Sequence, residues 1–248
     1  MTEAGEPRGG LGTVRNAVLL LDLLTDGPAY QTLTGLAEKS DLSIPTVHRL
    51  LRSLVLADLV EQDPKTSRYS LGPEVARLSQ RYLGRLPILG ALSPYLVSLR
   101  DTLESTIHVA VLVRESVVYV DRVDAADGGP YRDSHRVGDA LATPSGRLLA
   151  ARAPDEVWQR CLESYPGRLD GSPEELRSHW AKTAHLVSPD LGMGATGEVA
   201  VPVTDASGAL LAALSASVTA VTDPARVEEM ASHLGRAATA AGRTLGNA

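Results

Sequence analysis

The stretch SIPTVHRLLRSLVLA, residues 43–57, leaves this chain little choice of local structure. Val47, Leu50, Leu51 and Leu54 recur at i, i+3, i+4 and i+7, which on a helical period is one apolar stripe. Ser43 stands at the N-cap position, and Pro45 falls in the first turn, where a missing N–H costs nothing. The opposite face carries Thr46, His48, Arg49, Arg52 and Ser53. Upstream, Thr32 is placed to cap a short helix with Leu33, Leu36 and Ala37, which runs out at Ser40-Asp41, and Leu42 plugs the gap between the two helices. Helix, turn and capped helix in this order predict a helix-turn-helix. Its second member presents Ser43, Pro45, Thr46, His48 and Arg49 from the N-terminal turns, with Arg52 and Ser53 behind them. That suits a major groove ~12 Å wide, where donors must reach base edges and phosphates.

The next residues add a wing. Leu59, Val60 and Gln62 lead into the turn cluster Asp63-Pro64-Lys65-Thr66-Ser67, and Arg68-Tyr69-Ser70-Leu71 returns as a second strand. Lys65 and Arg68 at the tip are placed to meet phosphate. The competing reading is an ordinary solvated helix and hairpin whose charges do nothing, and the helix alone already weighs against it. The ordered combination is what points to double-stranded DNA.

Charge supports a local DNA face only after the chain is divided. The net charge is −6, yet residues 39–82 hold seven Lys+Arg against five Asp+Glu, while residues 83–248 hold 15 against 20. So modest a patch gives weak electrostatic affinity, and base contacts and dimerisation must supply the rest. No apolar run approaches the ~20 residues of a membrane span, and the acidic, Gly-rich beginning lacks a signal-peptide core. The single Cys161 excludes an internal disulfide or a thiolate metal cluster. The expectation is a soluble cytoplasmic protein with no membrane partner and no cofactor.

Taken in order, residues 1–11 read as a disordered tail and residues 13–25 as the first helix of the DNA-binding unit, apolar at Val14, Ala17, Val18, Leu21 and Leu24. After the wing, residues 74–86 form an amphipathic linker helix with Val75, Leu78, Tyr82 and Leu86 on one side. Residues 88–102 are helical, with Pro94 as an interruption. Strands follow at 107–113 and 117–123, a loop at 125–130 and a third strand at 132–137. Thr143-Pro144-Ser145-Gly146 opens a helix to residue 153, and further helices fit 154–165 and 173–186. Strands at 198–204 and 210–218 make a hairpin, and a helix at 224–245 closes the chain. The layout is α+β, with helices around one antiparallel sheet. The implied domains are 12–73, a linker at 74–87, and 88–248.

Catalytic patterns are missing. There is no G-x-S-x-G, no phosphate-binding glycine loop and no HExxH, and His179 and His185 are six apart, off the spacing of a zinc helix. Cys161 sits in a helix and reads as inert. His108 alternates with apolar neighbours on its strand and is either a pocket group or a satisfied core residue. The chain is not expected to be an enzyme.

LAEKSDLSIPTVHRLLRSL and VEQDPKTSRYSLGPEVARL, followed by STIHVAVL, ATPSGRLLAA, GEVAVPV and LLAALSASV, resemble the IclR family of bacterial transcriptional regulators. The resemblance runs from Gly12 to the C-terminus. It implies an N-terminal winged helix-turn-helix, a linker helix and a C-terminal GAF/PAS-like effector-binding domain. It also implies a homodimer or dimer of dimers on a palindromic operator, acting for example as a repressor, with affinity changed by a small molecule, commonly an organic acid. By the same resemblance, Pro144, Ser145 and Gly146 offer backbone N–H groups to a ligand carboxylate. That agrees with the outward-pointing donors and positive end of a helix N-terminus. Ser188, Asp190, Glu198, Ser215 and Ser217 complete the implied effector site, although the two serines would otherwise pass as ordinary strand residues.

Many relatives carry Cys where this chain has Glu198, and the loop at 191–197 is short of acidic residues. If Glu198 faces the pocket, its carboxylate repels an acidic ligand unless it is protonated or paired. The expectation is therefore a hydroxylated or amine-bearing effector rather than a simple dicarboxylate or keto acid. The alternative is an effector-independent regulator whose distal domain only oligomerises.

Overall fold

The structure, a computed structural model, describes residues 10–125, 137–188, 196–219 and 223–245. The chain divides into two compact units, Met1–Arg85 and Leu86–Ala248.

The first unit comprises α1 (Gly10–Thr25), α2 (Leu33–Ser40), α3 (Ile44–Leu56), β1 (Val60–Gln62), β2 (Tyr69–Leu71) and α4 (Pro73–Leu83). Its core joins Leu20 and Leu24 of α1 and Leu36 of α2 to the α3 stripe Val47, Leu50, Leu51 and Leu54, closed by Val60 and Tyr69. The buried row of α1 passes through Leu20, whereas Val14 is 66% exposed, contrary to the stripe expected from sequence. Leucines at 19, 20, 21, 23 and 24 permit two neighbouring registers, and packing against α3 selects one. Residues 10 and 11, expected in the tail, belong to α1.

Gln31 ties this unit together. Its backbone exchanges two 2.8 Å hydrogen bonds with Tyr69. Its buried amide donates to the carbonyls of Leu23 and Asp26 and accepts from Lys39. Such a buried amide is tolerated because its donors and acceptor are used.

The second unit begins with α5 (Pro87–Leu103), which runs unbroken through Pro94. Gly90 and Pro94 are both exposed, so the carbonyl deprived of its donor faces water, and the expected interruption does not occur. Then come β3 (Ile107–Val113), β4 (Ser116–Val123), β5 (Val137–Asp139), a 3-10 turn at Ala140–Ala142, α6 (Pro144–Ala151), α7 (Asp155–Ser164) and α8 (Pro173–Lys182). The chain ends with β6 (Leu186–Val187), β7 (Thr196–Thr204), β8 (Leu210–Thr219) and α9 (Pro224–Leu245). The helix expected to reach residue 186 stops at Lys182, because Leu186 and Val187 pair with Ala200 and Val199 as an edge strand. The third strand expected from 132 lies outside the described residues except at Val137, where β5 begins.

The six strands form one antiparallel sheet in the order β5-β4-β3-β8-β7-β6. Alternation gives it two faces. Ile107, Val109, Leu214, Ala216, Val199, Val201 and Val203 are buried on one, while α5 and α9 pack on the sheet and on each other. His108, Ala110, Tyr119, Ala213, Ser215, Ser217 and Glu198 share the other through their register. There Leu149 of α6 packs on Ala110, Tyr119 and Ala213.

Candidate functional site

The first candidate surface is the exposed side of α3 and the wing. Thr32 Oγ1 accepts the Gly35 N–H at 3.1 Å and caps α2, and Asp41 turns the chain at φ 54° before α3. Burying the leucine stripe turns Ser43, Ile44, Pro45, His48, Arg49, Arg52 and Ser53 to solvent, with Thr46 half-covered. Ser43 has N-cap backbone geometry, but its hydroxyl bonds the Thr46 hydroxyl at 2.9 Å and no backbone N–H. The first turn of α3 therefore keeps its positive end uncapped by a side chain, a favourable place for phosphate. Ile44, 49% exposed there, has no role legible in the sequence; an apolar group so placed can contact a thymine methyl.

At the wing tip, the Asp63 carboxylate accepts from the Lys65 N–H at 3.0 Å and the Thr66 hydroxyl at 2.5 Å. The Thr66 hydroxyl, then the Lys65 amide, hold the Asp63 carboxyl below its ordinary range. This local closure leaves the Lys65 and Arg68 side chains exposed. Among the described residues, none of His48, Arg49, Arg52, Lys65 or Arg68 has an ion-pair partner. Five cationic or protonatable groups are thus available to an anionic partner.

The second candidate site lies where α6 starts above the sheet. Thr143 caps α6 through its hydroxyl, which accepts the Gly146 N–H at 3.1 Å, and Pro144 occupies the first turn. The Ser145 N–H donates to Oε1 of Glu198 at 2.7 Å. Oε2 of Glu198 accepts from Ser215 Oγ at 2.9 Å and from the Tyr119 hydroxyl at 3.1 Å. Glu198 is only 8% exposed, and Ser145 and Ser215 are fully buried. Three donors therefore converge on one carboxylate, the condition under which such a group tolerates burial.

His108 Nε2 and Ser217 Oγ lie 3.2 Å apart, and the His108 ring meets Tyr119 edge-on with centroids 5.5 Å apart. Ser188 acts on the backbone. Its hydroxyl accepts the Glu198 N–H, and its N–H donates to the Glu198 carbonyl, both at 2.9 Å. Ser145, Glu198 and Ser215 thus meet at the start of α6, with Pro144 and Gly146 on either side of Ser145 and Ser217 opposite Glu198 on β8. Ser188 holds the strand, and Asp190 lies outside the described residues. Tyr119 is a site residue that sequence reasoning misses. Its alternation on β4 marks a face, but nothing in the chain announces its bond to a residue 79 positions away.

Arginines fasten α6 from outside. Arg147 donates to the Leu141 carbonyl and lies over Trp180, and Arg152 donates to the carbonyls of Leu148, Trp180 and Thr183. Burial lowers the pKa of Arg152, though the group stays a cation. Arg177 reaches the Ala151 and Ala153 carbonyls across Trp158. A lysine lacks the planar fork that spans several carbonyls.

Comparison with known proteins matches residues 13–64 to the IclR helix-turn-helix domain. The regulator XynR of Escherichia coli K12 is 27% identical, over 94% of this chain and 97% of its own. The Pca regulon regulatory protein of Pseudomonas putida is 28% identical, over 76% of this chain and 67% of its own. Among solved structures, a putative IclR transcriptional regulator from Silicibacter sp. TM1040 superposes with a TM-score of 0.78 at 24% identity, covering 96% of this chain and 97% of that one. An IclR homologue from Microbacterium hydrocarbonoxydans, solved with 4-hydroxybenzoate, has a TM-score of 0.71 at 22% identity, covering 95% and 100%.

Proposed function

We propose that this chain is an IclR-type transcriptional regulator that binds a palindromic operator as a dimer or dimer of dimers, with affinity modulated by a small molecule at the α6 site, a reading supported by the helix-turn-helix match over residues 13–64 and by the likeness to relatives along the chain. The observation that carries the DNA-reading half is the exposed row His48, Arg49 and Arg52 on α3, with Lys65 and Arg68 on the wing and none of them spent on an ion pair among the described residues. Arg49 and His48 act on base edges, Arg52, Lys65 and Arg68 on phosphates. Exposed apolar groups on α1 and α4, namely Val14, Leu78 and Tyr82, support self-association. No described helix is long and apolar enough to cross a membrane.

Ligand binding under α6 acts by population shift, favouring one arrangement of the DNA-binding units within the oligomer. Two recognition helices must match half-sites one helical turn apart, so a small change of spacing weakens binding. A second reading, an effector-independent regulator, is favoured by one observation: the Ser145 N–H is already taken by Glu198. Fluorescence anisotropy against duplexes tiling the region upstream of the protein's own gene tests the proposal. One near-palindromic tile should bind ~10³-fold or more tighter than a scrambled duplex at the same salt concentration. Uniform binding to all tiles would refute it.

A further inference from the structure

The N-terminal donors of α6 are all engaged. Pro144 has no N–H, Ser145 donates to Glu198, Gly146 to Thr143 Oγ1, and Arg147 to the Thr143 carbonyl. A ligand carboxylate arriving here would find no free backbone N–H in the first turn, although this is where a helix most favours an anion. The carboxyl group present is the chain's own. Glu198 comes from β7, 53 residues away, and no described Lys or Arg forms an ion pair with it. Its neighbours on the same face of β7, Ala200 and Pro202, are small or apolar. Ala200 and Pro202 give the carboxylate no partner, so its burial is offset by the three donors from Ser145, Ser215 and Tyr119.

We propose that Glu198 is a tethered carboxylate that fills the anion site of the effector domain, so that the domain rests as if an acid group were already bound and small monocarboxylates are excluded. This deepens the reading of the α6 site as the effector site and rests on it. Two polar functions stay unspent. A carboxylate offers about four lone-pair positions, and at Glu198 Ser145, Ser215 and Tyr119 occupy three. The Ser145 hydroxyl is buried without a partner among the described residues. The free position on Oε1 and this hydroxyl belong to the two groups joined by the 2.7 Å bond. Together they accept a donor and complete a hydroxyl pair. The ligand class that fits is a neutral or cationic hydroxyl- or amine-bearing molecule.

Chemical rescue tests this on the full chain. Thermal melts of wild type, Glu198→Ala and Glu198→Gln are compared in sodium acetate and in sodium chloride at equal ionic strength. Wild type should melt at the same temperature in both salts. Glu198→Ala should melt lower in chloride and be restored saturably by acetate, which refills the vacated position by mass action. Glu198→Gln keeps an oxygen for the Ser145 N–H and leaves no vacancy, so acetate should not stabilise it. Saturable stabilisation of wild type by acetate, or no acetate response in Glu198→Ala, overturns the proposal. Should Glu198→Ala be recovered unfolded, Glu198→Ser replaces it in the same comparison: saturable rescue by acetate is expected, and no response to acetate overturns the proposal. Operator binding by wild type is measured alongside. Its absence overturns the regulator reading alone, whereas a specific operator with no acetate rescue overturns the tethered carboxylate alone.

Discussion

Replacing Gly146 with alanine should destabilise the second unit although it puts a better helix former into α6. A methyl group at Gly146 would stand 2.1 Å from the Ala140 carbonyl oxygen and 2.7 Å from its carbonyl carbon and Cα. Carbon contacts are comfortable near ~3.5–4.0 Å, so the start of α6 and the Ala140–Ala142 turn must part by more than ~1 Å. Overpacking typically costs ~1–3 kcal/mol. Backbone stands on the far side, so no rotamer change relieves the clash and the upper end applies. The helix preference of alanine over glycine returns up to ~1 kcal/mol, leaving a loss of ~2 kcal/mol. In a domain of this size that is a fall of ~4–8 °C in Tm. Both tryptophans, Trp158 and Trp180, lie in this unit beside α6, so their fluorescence reports its melting. Gly235 on α9 is the control, since a methyl group there meets nothing within 4 Å. Gly235→Ala should raise Tm through a gain of ~0.5–1 kcal/mol. If Gly146→Ala leaves Tm unchanged or raises it, α6 does not approach Ala140 so closely.

Three further perturbations probe other parts of the molecule. Lys65→Ala should weaken binding about equally on all duplexes and reduce the slope of log affinity against log salt by ~1, as loss of one phosphate contact does; an unchanged slope would remove Lys65 from the interface. Leu51→Ala empties a fully buried position in the first core and should cost ~2–5 kcal/mol in chemical denaturation followed by circular dichroism; a loss under ~1 kcal/mol would mean the core is not arranged as described. Cys161 is 1% exposed, and burial is the main cause pushing its thiol up, so a thiol reagent at neutral pH should modify it only on unfolding. Rapid modification of the native protein would contradict that burial.

Much of this architecture is legible in the sequence because local rules agree with packing. The stripe of α3, the Thr143-Pro144 start of α6 and the bounds of β3 and α9 all follow from period, cap and punctuation. Departures arise where local signals tie or context overrides them. The leucine cluster of α1 offers two registers, Pro94 sits on a wet face that tolerates it, and Leu186 changes from helix to strand because β7 offers a partner. The α3 face is readable, since an exposed helical face needs only periodicity. The α6 site is half readable. Alternation puts Glu198, Ser215 and Ser217 on a shared face, yet that Glu198 ends on the Ser145 N–H depends on a helix crossing the sheet. Pairing across such distances leaves no local mark.

The central claim is that α3 reads base sequence, and Arg49→Ala on the operator and on a scrambled duplex at matched salt tests it most directly. Wild type should prefer the operator by ~10³ or more. The variant should lose ~1–3 kcal/mol on the operator with little change on the scrambled duplex. Equal losses on both, or a wild type without preference, would contradict the claim.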